Sequence, residues 1–144
     1  MNPGLPTESY PPEAYDVVAH WLLDRPEHLS SFRADLTQAL LDQGATYSGG
    51  LTGIADQMVL VASELATNAI THALPPTRVQ LLVGDEEFVL DVIDHAPDMP
   101  PLIAEDRELG EGGAGLKIAQ RIALDVAWYP DGMAKHVWAR FPRQ

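Results

Sequence analysis

Residues 54–94 read IADQMVLVASELATNAITHALPPTRVQLLVGDEEFVLDVID, and the change of period inside this stretch decides the fold class. In its first half, apolar side chains recur at Ile54, Met58, Val61, Leu65 and Ala69, the spacing of one buried helix face. Pro75-Pro76 cannot continue a helix, so the spacing predicts an end near Ala73. Beyond the prolines the period shortens. Arg78 to Val83 and Glu87 to Ile93 read as strands joined by Gly84-Asp85-Glu86, a hairpin. Alternation in the second strand puts Phe88, Leu90, Val92 and then Asp94 on one face.

On the N-terminal side, a loop with Ser48, Gly49, Gly50 and Gly53 precedes this helix. Before the loop, Glu27 to about Gln43 carries Leu29, Phe32, Leu36 and Leu40 at helical spacing, with Gly44 as a stop. Val17 to Leu23 is a short apolar strand broken by Arg25-Pro26. Residues 1–13 hold four prolines and read as a flexible tail, leaving one domain over 14–144. On the C-terminal side, residues 95–111 are rich in Pro and acidic side chains without any period, which predicts a long functional loop or lid. Leu116 to Leu124 is a short helix, Asp125 to Tyr129 a strand, Asp131-Gly132 a turn and Lys135 to Phe141 the last strand. Grouped helices and hairpins predict an α+β, two-layer α/β sandwich: a mixed, mostly antiparallel sheet with helices on one face, not a doubly wound parallel sheet.

Bulk composition narrows the function classes. At 144 residues, with 46% hydrophobic and 21% charged residues, the chain has the size and balance of one globular domain. A net charge of −12 disfavours nucleic acid as a partner, because gripping phosphate backbones needs clustered Lys and Arg. One nucleotide remains compatible, its phosphates held by backbone N–H groups and a divalent cation. There is no cysteine, hence no disulfide or thiolate metal site. The proline- and acid-bearing N-terminus lacks a signal-peptide pattern, and no run of about 18 apolar residues follows. A soluble cytoplasmic protein without membrane contact is the expectation.

Chemistry concentrates at three places. On the central helix Glu64, Asn68 and His72 recur every four residues and form one slanting polar row beside the apolar stripe. A carboxylate there can orient and deprotonate an attacking group, and an amide oxygen suits Mg²⁺; the competing reading is a solvated helix face. Asp94 ends an apolar strand, where a carboxylate wants a partner, or else it opens an exposed turn. Gly110-Glu111-Gly112-Gly113-Ala114-Gly115-Leu116 satisfies G-x-G-x-x-G, and Asp131 lies near the matching acidic spacing. A dinucleotide fold needs a strand just before the first glycine. The charged run Glu105-Asp106-Arg107-Glu108 is no buried strand. The glycines serve better as a flexible loop whose N–H groups approach phosphate at a helix start, the alternative being a plain linker. The histidines His20, His28, His72, His95 and His136 show no metal-ligand spacing, and Trp21, Trp128 and Trp138 fall on strands as core or interface residues.

Taken in order, Glu64-x-x-x-Asn68-x-x-x-His72-Ala73, Asp94 with Pro100-Pro101, Gly112-Gly113-Ala114-Gly115-Leu116 and Lys135-His136-Val137-Trp138-Ala139 resemble the N, G1, G2 and G3 boxes of the gyrase, histidine-kinase and mismatch-repair ATPase superfamily (GHKL). The nearest likeness is to its single-domain anti-sigma-factor serine/threonine kinase branch in Gram-positive bacteria, from about Val17 to Pro142. The resemblance implies a Bergerat-type fold with ATP and Mg²⁺ as cofactors. It implies Glu64 as general base, Asn68 as Mg²⁺ ligand, His72 near the phosphates and Asp94 as acceptor of the adenine amino group. Gly112, Gly113, Gly115 and Leu116 would form the lid hinge and phosphate contacts, with residues 95–111 as the ATP lid. The γ-phosphate would pass to a serine or threonine of an antagonist protein, a sigma factor would dock elsewhere, and a homodimer is compatible with the branch.

The chain departs from the pattern in three places. Asp94 is followed by His95-Ala96-Pro97-Asp98 without glycine, Ala114 stands where Arg is common, and His136 stands where Thr is common. These departures define the alternative: a non-catalytic nucleotide-binding or docking module that regulates a sigma factor or another partner by binding alone.

Overall fold

The computed structural model describes residues 7–8, 15–48, 52–72, 76–95 and 121–143. A single turn of 3₁₀ helix, Pro26–His28, leads into α1 (Leu29–Asp42). Leu29, Phe32, Leu36 and Leu40 are its buried face, as their spacing predicts. Gly44, at φ +88°, ends the helix, and the Ala45 N–H reaches back to the Leu40 carbonyl at 2.9 Å, satisfying an end group that the helix itself leaves unpaired. Helix α2 (Ile54–His72) buries Met58, Val61, Leu65 and Ala69 together with Ala55, Ala62 and Ala66. The small residues let this helix lie close to the sheet. Its first turn is held from outside: Thr46 accepts the Ala55 N–H at 2.9 Å, and Asp56 accepts the Ser48 N–H at 2.8 Å.

Among the described residues six strands form one sheet: β1 (Thr7–Glu8), β2 (Asp16–Leu23), β3 (Thr77–Val83), β4 (Glu87–Asp94), β5 (Asp125–Asp131) and β6 (Ala134–Pro142), in the order β1-β5-β6-β4-β3-β2. β1 alone is parallel to its neighbour; the other pairings are antiparallel. The mixed, mostly antiparallel sheet with α1 and α2 on one face is the expected α+β sandwich. Thr7–Glu8 lies inside the stretch expected to be a tail, yet its two residues pair with Ala127 and Trp128 of β5. Of the helix expected over Leu116 to Leu124, residues 116–120 lie outside the described residues; Arg121 and Ile122 are helical, and the chain bends at Ala123 and Leu124, two residues short of the expected end.

Period-two alternation gives the sheet two unlike faces. Toward the helices, Val79, Leu81, Phe88, Leu90, Val92, Val137, Ala139 and Phe141 meet Phe32, Leu36, Leu40, Met58, Val61 and Leu65 in the main core. Trp21 adds an edge-on contact with Phe32, ring centres 5.2 Å apart. On the opposite face Val89, Ala127 and Trp138 are buried with Tyr15, Leu82 and Tyr129 against them. Strand β4 is therefore covered on both sides, and any polar side chain it carries needs a partner. No helix among the described residues is long and apolar enough to cross a membrane.

Candidate functional site

The polar row on α2 is graded by depth. Glu64 is 8% exposed, Asn68 is half-buried and His72, the last residue of the helix, is exposed. A buried carboxylate is not part of a solvated helix face, so the competing reading of this row fails at Glu64. One helical turn separates Glu64 from Asn68, leaving a carboxylate and an amide adjacent along α2. These are the residues able to hold a hard cation and to move a proton beside it. Among the described residues no cluster of three His, Asp or Glu side chains could hold a metal ion by itself. A cation here would take few protein ligands, as Mg²⁺ does.

Asp94 closes β4 on the same side of the sheet as Phe88, Leu90 and Val92, facing the helices as its position in the alternation predicts. It is 3% exposed. Its register partner on β6 is Lys135, itself 6% exposed, whose Nζ lies 3.4 Å from Asp94 Oδ2. Two charges taken from water in this way depend on each other, and removing either leaves the other unmatched at that contact. Along β3 the register sets Arg78 opposite Ile93, which places Thr77 beside Asp94 on its other flank. Thr77 is 1% exposed, and its Oγ1 is among the few buried side-chain atoms without a hydrogen-bond partner among the described residues. Such an orphan costs about 1–3 kcal/mol. The residue after Asp94, His95, sits with Nδ1 at 3.1 Å from the Pro76 carbonyl oxygen, so Asp94 is followed by a side chain tied back to the start of β3.

His136 does not belong to this group. It neighbours Lys135 in sequence but points to the opposite face of the sheet, where its Nδ1 bonds Asp91 at 2.8 Å and its ring stacks on Tyr129 with centres 4.4 Å apart. Burial works against the imidazolium, but the hydrogen bond and charge of Asp91, joined by Asp131, outweigh it and hold the His136 pKa above the ordinary histidine value. The side chain that stands where Thr is common therefore serves the outer face and leaves the Asp94 face untouched.

The structure thus brings Asp94 and the α2 row to the helix side of the sheet. Gly112, Gly113, Gly115 and Leu116 lie outside the described residues, as do residues 96–111 of the expected lid. Thr77 escapes a reading of the sequence because its role depends on the β3–β4 register, and Lys135 because a lysine on a strand reads as a solvated end. The one signal for Lys135 is its two-residue spacing from Val137, Ala139 and Phe141, whose face it continues.

A family model described as a histidine kinase-like ATPase domain matches residues 22–141 of the chain. Among solved structures, the chain is similar to the Acinetobacter baumannii histidine kinase AdeS, at 16% sequence identity and a TM-score of 0.47, over 88% of this chain and 68% of that one. No curated protein matches it.

Proposed function

Because the chain belongs to the histidine kinase-like ATPase domain family, we propose that it binds ATP with Mg²⁺ on the helix side of the sheet and passes the γ-phosphoryl group to a serine or threonine of a partner protein, as anti-sigma-factor kinases do. The observation that carries this reading is the buried Glu64 one turn before Asn68 on α2, on the same side of the sheet as the buried Asp94. Bound Mg²⁺·ATP supplies the transferable phosphoryl group and the charge neutralisation that such transfer needs.

This chain's residues do the remaining work. Asp94, kept from water at the end of β4, accepts the amino group of adenine and fixes the base. Asn68 offers its amide oxygen to the cation and so sets the triphosphate along α2. Glu64 takes the proton of the attacking hydroxyl while the new P–O bond forms and the bond to ADP breaks. His72, at the end of α2, and Gly112, Gly113, Gly115 and Leu116 contact the phosphates. Binding a sigma factor is assigned to another surface, which keeps transfer and docking separable.

The test is calorimetric and then chemical. Wild type titrated with ATP and Mg²⁺ gives heat and a rise in melting temperature; Asn68→Ala and Asp94→Ala weaken both by about tenfold or more in affinity. Labelled ATP with the antagonist protein then transfers phosphate in wild type and not in Glu64→Gln. Absence of binding in wild type refutes the nucleotide reading. Binding without transfer selects the docking module instead.

A further inference from the structure

The two halves of the outer sheet face are unlike. Over β4, β5 and β6 it is closed, with Val89, Ala127 and Trp138 almost fully buried. Over β2 and β3 it is open. The register sets Val17 opposite Leu82 and Leu22 opposite Arg78, and Arg78 in turn opposite Ile93 of β4. These side chains point away from the helices, because Leu23, Val79, Leu81 and Val92, which alternate with them, are buried in the main core. Val17 is 52% and Leu22 54% exposed, and Leu82 and Ile93 are half-buried beside them. Four branched apolar side chains thus form one strip that nothing in the chain covers at its β2 side, the mark of a surface that a partner completes.

The charge at the centre of this strip is basic in a chain of net charge −12. Arg78 is exposed between Leu22 and Ile93, and its guanidinium makes no hydrogen bond or ion pair with any described residue. His20, opposite Gln80 on the same face, is exposed as well. The carboxylates that β4 carries on this side, Glu87 and Asp91, are taken up by Arg140 and His136. Asp16 and Asp24 stand at the two ends of β2 and leave its middle basic.

Resting on the docking half of the reading above, we propose that the β2–β3 half of the outer face binds an acidic amphipathic helix of a partner protein. Its apolar stripe lies along Val17, Leu82, Leu22 and Ile93, and one of its carboxylates meets Arg78. A guanidinium–carboxylate pair ringed by apolar contact is the kind of anchor that carries binding energy at an interface. The shape agrees: three strands side by side are about 10 Å across, one helix diameter, and Val17 to Leu22 runs about 15 Å, close to three helical turns. A strand added to the free edge fits less well, because a bulge between Val17 and Ala19 breaks the repeat of that edge. A second copy also fits less well, since a two-fold contact sets the same basic strip against itself. Docking here and nucleotide on the helix side occupy opposite faces of one sheet.

The probe is a displayed library of helical peptides of about 15 residues, with leucine fixed along one face and Glu, Lys or Gln allowed at the flanks. It is selected on the full chain and counter-selected on Leu22→Asp. Enriched peptides carry Glu at the flanks, and by calorimetry they bind Leu22→Asp and Arg78→Gln about tenfold or more weakly than wild type. Selection on Arg78→Glu enriches Lys instead. Leu22 and Arg78 are exposed, so these variants keep the wild-type melting temperature and ATP titration, and Asn68→Ala keeps the peptide affinity. Should Leu22→Asp fail to fold, Val17→Asp serves as the counter-selection. The proposal is overturned if no peptide is enriched, if enrichment ignores charge, or if wild type sediments as a dimer that Leu22→Asp dissolves; ATP binding by the same protein then leaves the nucleotide reading standing. Acidic peptides bound by a chain that takes up no ATP support the docking face and overturn the nucleotide reading alone.

Discussion

Replacing Gly53 by alanine is expected to weaken the fold far more than a surface glycine change normally does, and for a reason that has nothing to do with glycine's freedom of rotation. A Cβ at this position would stand 2.5 Å from Asp56 Oδ2 and 2.6 Å from the Thr46 carbonyl oxygen. Relief requires both of these to retreat, each by on the order of 1 Å. Both are engaged: Thr46 accepts the Ala55 N–H at 2.9 Å, and Asp56 accepts the Ser48 N–H at 2.8 Å and its hydroxyl at 3.1 Å. Losing the neutral bond removes about 1 kcal/mol, and loosening the bonds to the carboxylate removes a further one or two, for roughly 2–3 kcal/mol in all. Gly44→Ala is the control. There a Cβ meets nothing within 4 Å, but the backbone sits at φ +88°, so the penalty is conformational and about 1 kcal/mol. Urea unfolding followed by circular dichroism on wild type and both variants separates the two causes. If Gly53→Ala lies within about 0.5 kcal/mol of wild type, or proves milder than Gly44→Ala, the steric account of the α2 entrance is wrong.

Two further outcomes follow from packing and charge. Leu36→Ala, at a fully buried position of α1, should lose about 2–5 kcal/mol in the same unfolding assay, while Leu41→Ala on the exposed side of that helix stays within about 0.5 kcal/mol. Against the cost of burial, Asp91 and Asp131 hold His136 above its unfolded value of 6.5, so the stability it contributes is complete below that value and fades as pH rises through the higher folded one. Wild-type unfolding free energy should therefore decline from about pH 6.5 upward. His136→Gln should flatten that slope, and a slope left unchanged would assign the effect to another group.

Most of the fold could be read from residue order, because the elements that build it carry strong periods of their own. The α2 stripe, the β3–β4 hairpin and the Gly44 stop all arise from interactions within a few residues. β1 could not be read. Thr7–Glu8 is too short for alternation and sits among prolines, and it becomes a strand only because the edge of β5 offers unpaired backbone groups. The site divides along the same line. Glu64, Asn68 and Asp94 were legible because a four-residue spacing and a two-residue alternation put them on definite faces. Thr77 beside Asp94, and Asp91 with His136, are meetings across strands, fixed by register and strand order, which no local pattern encodes.

Strands β4 and β6 each have a polar residue on both sides of the same few ångströms of backbone: Asp94 and Lys135 inward, Asp91 and His136 outward. Each wall of the sheet balances its own charge, a carboxylate against a cation, when His136 is protonated. Main chain a few ångströms thick screens little, so when His136 gives up its proton the Asp91 carboxylate, no longer offset, is felt on the inner wall as well.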